Sequence, residues 1–160
     1  MRILHALLAL LVAALAACSS IAPGPGGRTG PGAARPTLES EQARLADLFR
    51  GTPVVFAMQG DGSLRVSVPL RYSFDPGRYA VKPPLAAVLD RVARSQRHEA
   101  TRIAVAAPPD PNTHGVRLAA DRAASTRDYH VARGIEPTRF SVAGLGDGDD
   151  VVVVVGDAVQ

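Results

Sequence analysis

Apolar and polar positions follow three different rhythms along this chain. From Ile3 to Ala17 the sequence ILHALLALLVAALAA is almost unbroken apolar. A run of about 15 residues is short for a membrane-spanning helix, which needs about 20. With Met1-Arg2 in front and small residues behind, residues 1–17 read as an export signal. The next segment, SSIAPGPGGRTGPGAARP from Ser19 to Pro36, contains one large apolar residue, Ile21, and cannot build a core. Residues 18–36 are therefore expected to be a tether, spanning ~60 Å fully extended and ~25 Å as a flexible coil.

From Thr37 onward the pattern changes to alternating helix and strand periods. Thr37 is placed to cap a short helix with Glu39 and Glu41 in its first turn, apolar Leu38, Leu45, Leu48 and Phe49, and Gly51 as its stop. A β-hairpin follows: Pro53 to Met58, a turn at Gln59-Gly60-Asp61-Gly62, then Ser63 to Leu70 with Leu64, Val66, Val68 and Leu70 on one face. Arg71 to Lys82 reads as a loop. Pro83-Pro84 opens a second helix, in which Leu85, Val88, Leu89, Val92 and Ala93 fall at i, i+3, i+4, i+7 and i+8. Thr101 to Ala106 reads as a strand. Asn112 or Thr113 is placed to cap a further helix running to Arg133 and stopping at Gly134. Arg139 to Ala143 is expected to be a strand, Gly144 to Asp150 a tight acidic turn, and Val151 to Val155 a buried strand. This order predicts an α+β fold, a β-α-β-α-β-β mixed sheet with two helices packed on it, preceded by the short helix and a hairpin strand.

Composition sharpens this picture in three ways. Hydrophobic residues make up 46% of the 160 positions and Trp is absent, so the core must come from Val, Leu and Ala. The formal charge of +3 falls by one when a leader carrying Arg2 is removed. The basic residues are scattered, so the high pI of about 9.6 fits a surface facing an anionic cell wall better than a nucleic-acid site. The only cysteine, Cys18, excludes an internal disulfide framework.

Cys18 ends the apolar run. Leu15-Ala16-Ala17-Cys18 resembles a bacterial lipobox, in which the leader is cut before a cysteine that is then acylated. The alternative is an ordinary signal peptide cut near Ala17 with an incidental thiol. An unmodified lone thiol in an oxidising compartment is a liability, which favours acylation. In the lipoproteins that this segment resembles, Asp after the cysteine favours inner-membrane retention. Ser19 stands here instead and points to the outer membrane.

An ordered series then runs through the folded part. Phe74-Asp75-Pro76-Gly77, the helix ending near Arg94, and Thr101 to Val105 are followed by Asp110, Leu118, Arg122-Ala123, Arg127-Asp128-Tyr129, Ala132-Arg133-Gly134-Ile135, Arg139-Phe140 and Gly144-Leu145-Gly146. The series resembles the OmpA-like domain of outer-membrane protein A and peptidoglycan-associated lipoprotein. It covers about residues 64–155 of a domain expected over 37–160. The resemblance implies non-covalent peptidoglycan binding, with Asp110 and Arg122 gripping the diaminopimelate of the stem peptide. The chemistry suits that ligand: a guanidinium takes a carboxylate with two parallel hydrogen bonds, a carboxylate takes an ammonium, and amides at a helix start favour a second carboxylate.

The chain also departs from the family pattern. Ala107-Pro108-Pro109-Asp110 stands where the family has Gly-His-Thr-Asp, and Pro108, Pro109 and Pro111 donate no amide hydrogen. The Asp110–Arg122 spacing is shorter than usual, Gly115 and Ala119 replace an Asn and a Ser, and Asp147, Asp149 and Asp150 replace an Asn-Arg-Arg segment. Asp110 and Arg122 are equally readable as a structural ion pair, or Asp110 as a helix cap. His114 reads as an exposed loop residue, and His130 as a partly buried one bonded to its neighbours. His98, His114 and His130 lack metal-ligand spacing. The run Gly146 to Asp150 lacks a full calcium-loop pattern, and no nucleophile motif or nucleotide loop is present.

Taken together, these features predict a lipid-anchored outer-membrane protein with a periplasmic domain that binds peptidoglycan and links the membrane to the wall. The expected partners are peptidoglycan, the membrane and envelope proteins, with no nucleic acid, cofactor, metal or catalysis. The alternative is an interaction module of a secretion or pilus machine that shares the fold without binding peptidoglycan.

Overall fold

The last strand lies at the centre of the sheet. A computed structural model describes residues 36–111, 115–141, 144–146 and 148–157. The expected signal peptide, Cys18 and all of the expected tether but Pro36 lie outside these residues, as do Asn112, Thr113, His114, Val142, Ala143 and Asp147. The strand Asp150–Gly156 carries five consecutive valines, and Val151, Val152, Val153 and Val155 are buried. An uninterrupted apolar run of this kind suits a strand with neighbours on both sides, because successive side chains point to opposite faces.

The elements in chain order are α1 Leu38–Leu48, β1 Val55–Met58, β2 Leu64–Pro69, α2 Leu70–Ser73, α3 Pro83–Gln96, β3 Arg102–Ala107, α4 Val116–Val131, β4 Gly144–Leu145 and β5 Asp150–Gly156. The sheet order is β1-β2-β5-β3-β4. β1–β2, β2–β5 and β3–β5 are antiparallel, and β3–β4 is parallel, so the sheet is mixed. In register, Val66 faces Val153 on one side of β5, and Val105 faces it on the other.

Local chemistry explains most boundaries. Thr37 Oγ1 accepts the Ser40 amide at 3.2 Å and caps α1. Pro83 and Pro84 occupy the first turn of α3, where a missing N–H costs nothing. Leu85, Val88, Leu89 and Val92 on α3 are buried, each stabilising the fold by about 1.5–3 kcal/mol relative to exposure. The inner face of α4 differs. Its buried residues are Ala119, Arg122, Ala123, Thr126 and His130, a polar stripe set among alanines.

Three sequence expectations are corrected. The segment after β2 begins with one turn of helix, α2, rather than loop, and Phe74 N–H closes that turn on Leu70 O at 3.0 Å. The described part of the strand expected over Arg139 to Ala143, Arg139 to Ser141, is not a regular strand. Pro137–Arg139 is a 3-10 turn, and Phe140 makes only an isolated parallel bridge with Ile103. The Arg139 guanidinium is drawn to Thr101 O at 2.7 Å, Gln96 O at 2.5 Å and Thr101 Oγ1 at 2.6 Å, which anchors the segment as a turn. The short strand forms instead at Gly144–Leu145, inside the expected acidic turn. It is held by Gly146, whose amide bonds Ala107 O at 3.0 Å. A Cβ on Gly146 would sit 3.0 Å from the Ala107 carbonyl carbon, so any side chain there crowds the Ala107 backbone and glycine suits this crossing best. His130 is fully buried rather than partly so. Its Nδ1 lies 3.1 Å from Thr126 O, and its Nε2 has no hydrogen-bond partner among the described residues.

Candidate functional site

The Phe74–Lys82 segment, the end of β3 and the middle of α4 converge on one arginine. Asp75-Pro76-Gly77-Arg78 forms a turn in which Arg78 N–H bonds Asp75 O at 3.0 Å. Pro76 presets φ at the first central position, and Gly77 takes φ +68° at the second, as a type II turn requires. The turn leaves two carbonyls pointing inward, and both find Arg122. Arg122 Nε donates to Arg78 O at 2.9 Å, and Nη2 donates to Asp75 O at 3.3 Å. Nη1 donates to Pro108 O at 3.2 Å, while Nη2 also bonds Asp110 Oδ1. The guanidinium carbon lies 5.4 Å from the centre of the Phe74 ring.

Asp110 thus meets Arg122 in an ion pair. Its other oxygen, Oδ2, accepts the Gly77 amide at 2.6 Å. Burial alone would raise the Asp110 pKa, but the hydrogen bonds from Arg122 and Gly77 and the guanidinium charge outweigh it. The carboxyl therefore stays below the usual aspartate range and is ionised at neutral pH. The two partners differ in access. The Arg122 side chain is 0% exposed, whereas the Asp110 side chain is 18% exposed. Arg122 lies beneath Asp110 and binds the 75–78 turn, Pro108 and Asp110 together.

Beside Asp110 opens a cavity of about 810 Å³. Its apolar wall includes Leu70, Phe74 and three prolines, and its charged groups are Arg71, Lys82, Asp110, Asp149 and Asp150. Arg122 does not line it. Lys82 Nζ pairs with Asp75 at 2.9 Å and donates to Arg71 O at 3.1 Å. At the start of α4, Gly115 is the cap residue, and among the described residues no side chain caps the first turn. Amides there have no partner within the helix.

The sequence singled out Asp110 and Arg122, and the structure brings them together. Cys18 lies outside the described residues. The sequence reading missed the contribution of the Asp75, Arg78 and Pro108 carbonyls, because a backbone acceptor carries no residue signature. The Asp-Pro-Gly turn was the available signal, since it fixes where two of those carbonyls point. Lys82 and the cavity-facing roles of Asp149 and Asp150 were also missed.

Comparison with known proteins places this arrangement. No family model matches the sequence, and no curated protein matches it. Solved structures do. A MotB-like protein from Desulfovibrio vulgaris aligns with TM-score 0.62 at 17% identity, covering 76% of this chain and 92% of that one. The fold is that of the OmpA-like and MotB periplasmic domains. The cell wall anchor of the T6SS from Pseudomonas aeruginosa aligns with TM-score 0.60 at 18% identity, covering 78% and 99%. The periplasmic domain of Helicobacter pylori MotB aligns with TM-score 0.57 at 16% identity, covering 69% and 83%. The OmpA-like fold class expected from the sequence therefore stands, with its mixed five-stranded sheet. At these identities the likeness is one of fold, and the site must be argued from its own residues.

Proposed function

We propose that this chain is a lipoprotein anchored in the outer membrane through Cys18, and that its OmpA-like domain binds peptidoglycan non-covalently from the periplasm. Residues 1–17 are the leader and 18–36 the tether. The role is attachment and scaffolding, not catalysis. The observation that carries the reading is the Asp110–Arg122 pair, ionised and braced from below at the edge of an open cavity. Asp110 takes the ammonium of diaminopimelate on its exposed edge. Arg122 holds Asp110 in place and keeps it charged, and the first turn of α4, which no side chain caps among the described residues, offers amides to a carboxylate. The cell-wall role named for one fold relative agrees with this assignment.

A second reading, an interaction module without peptidoglycan binding, draws on one specific observation. Arg122 is wholly covered and committed to four acceptors, so it reaches a ligand only if the turn at Asp75–Arg78 opens. Co-sedimentation with purified peptidoglycan at low salt separates the two. The wild-type chain is expected to sediment with the sacculi. Asp110→Asn, which removes the charge and keeps one of the two acceptor oxygens, is expected to remain in the supernatant, and circular dichroism at the assay temperature checks that the destabilised variant is still folded. Wild-type protein that stays soluble under these conditions moves the assignment to the interaction module.

A further inference from the structure

The cavity beside Asp110 carries charge that the peptidoglycan reading leaves unexplained, and the inference that follows rests on that reading. Of the five charged groups that line it among the described residues, two are already answered from within the fold. Asp110 is paired with Arg122, and Lys82 with Asp75. That leaves Arg71, Asp149 and Asp150. Among the described residues, neither Asp149 nor Asp150 forms an ion pair. The balance left facing the cavity is one negative charge.

The acidic lip is fixed to the sheet. Asp150 stands opposite Pro69 in the β2–β5 register, and Asp149 O accepts the Leu70 amide at 2.9 Å. Among the described residues, no three His, Cys, Asp or Glu side chains gather closely enough to hold a metal ion. Leu70, Phe74 and the prolines supply an apolar surface for a hydrocarbon chain.

A free diaminopimelate end, ammonium plus carboxylate, is electrically neutral. The same end with its carboxylate converted to a carboxamide carries +1. We infer that Asp149 and Asp150 make the cavity selective for a stem peptide whose diaminopimelate end is amidated, and so locally positive, over the free acid. The free acid brings its carboxylate towards a lip that, with Arg71 counted, keeps one net negative charge. At about 8 Å across a partly solvated cleft, one such repulsion weakens binding ~5-fold at low salt, and added salt screens it. The carboxamide removes the repulsion and keeps the ammonium for Asp110.

The test is calorimetric titration of the full chain, in detergent at low salt, with two synthetic tripeptides. Both are L-alanyl-γ-D-glutamyl-meso-diaminopimelate, one with a free and one with an amidated carboxyl at the diaminopimelate centre that bears the free ammonium. The amidated peptide is expected to bind the wild type at least ~5-fold tighter. In the Asp149→Asn, Asp150→Asn double variant the two affinities are expected to converge, chiefly by tighter binding of the free acid. Leu70 bonds the Asp149 backbone, so that variant keeps the lip in place. Equal affinities in the wild type, tighter binding of the free acid, or an undiminished preference in the double variant each overturn the inference. In all three cases the peptidoglycan reading still stands. Wild-type protein that binds neither peptide overturns that reading, and the selectivity with it.

Discussion

Replacing Arg122 by methionine removes a single side chain from four acceptors. The Asp110 carboxylate and the carbonyls of Asp75, Arg78 and Pro108 all lose their donor. Breaking a buried ion pair from one side costs about 3–5 kcal/mol, because the other charge stays behind uncompensated. Asp110 is partly exposed and keeps the Gly77 amide, so water recovers some of this and the low end applies, about 3 kcal/mol. The most deeply buried of the three carbonyl contacts, at Pro108, adds about 1 kcal/mol. The sum is about 4 kcal/mol, which lowers the melting temperature of a domain this size by ~15 °C. Thermal denaturation followed by circular dichroism measures the loss. Amide exchange localises it, since the Gly77 and Arg78 amides are expected to lose protection before the sheet does. Arg122→Lys is expected to recover little, because one ammonium cannot span acceptors arranged around a planar guanidinium. Arg122→Met combined with Asp110→Leu is expected to melt above Arg122→Met alone, as no stranded charge remains. An Arg122→Met protein that melts within ~3 °C of wild type would refute the staple.

Further outcomes follow from other parts of the fold. His130 is buried neutral with a pKa pushed down to about 4, chiefly by burial, against 6.5 when unfolded. The unfolded chain therefore binds the extra proton first, and stability is intact above pH 6.5 and falls between there and pH 4, by about 3 kcal/mol at most. His130→Leu is expected to flatten the loss of melting temperature over that window. Gly146→Ala drives a methyl against Ala107 backbone that cannot yield, at an expected cost of about 1–3 kcal/mol, with faster exchange of the residue 146 amide. Limited proteolysis is expected to cut within 19–36 and leave a resistant fragment starting near Thr37. Cys18→Ser is expected to shift the chain from the membrane to the soluble or unprocessed fraction. Persistence of the variant in membranes at wild-type level places the anchor elsewhere.

How far the sequence reveals the structure differs from element to element. α3 was readable because its apolar positions repeat at helical spacing and two prolines mark its start. The valine run announced a strand buried between neighbours. α4 was readable as a helix, but its inner face was not, since Arg122, Thr126 and His130 look like surface residues until alanines are seen to leave room for them. β4 was misplaced because its position depends on two tertiary events, the capture of Arg139 by Thr101 and Gln96 and the close passage of Gly146 over Ala107. The pairing of Asp110 with Arg122 was reached through family resemblance. The complete coverage of Arg122 was not, because it is made largely by backbone carbonyls of residues distant in the chain.

The central claim is that the Asp110 end of this sheet is where peptidoglycan is held. Chemical-shift mapping of the isotopically labelled full chain, titrated with a diaminopimelate-containing stem peptide, tests it most directly. The account predicts that the Gly77 amide, which donates to Asp110, shifts saturably together with the amides of Leu70, Val116 and Asp150. Gln96, Thr101 and Glu41, which line a separate cavity, are predicted to stay still. Shifts confined to Gln96, Thr101 and Glu41, or no saturable shift at all, would contradict it.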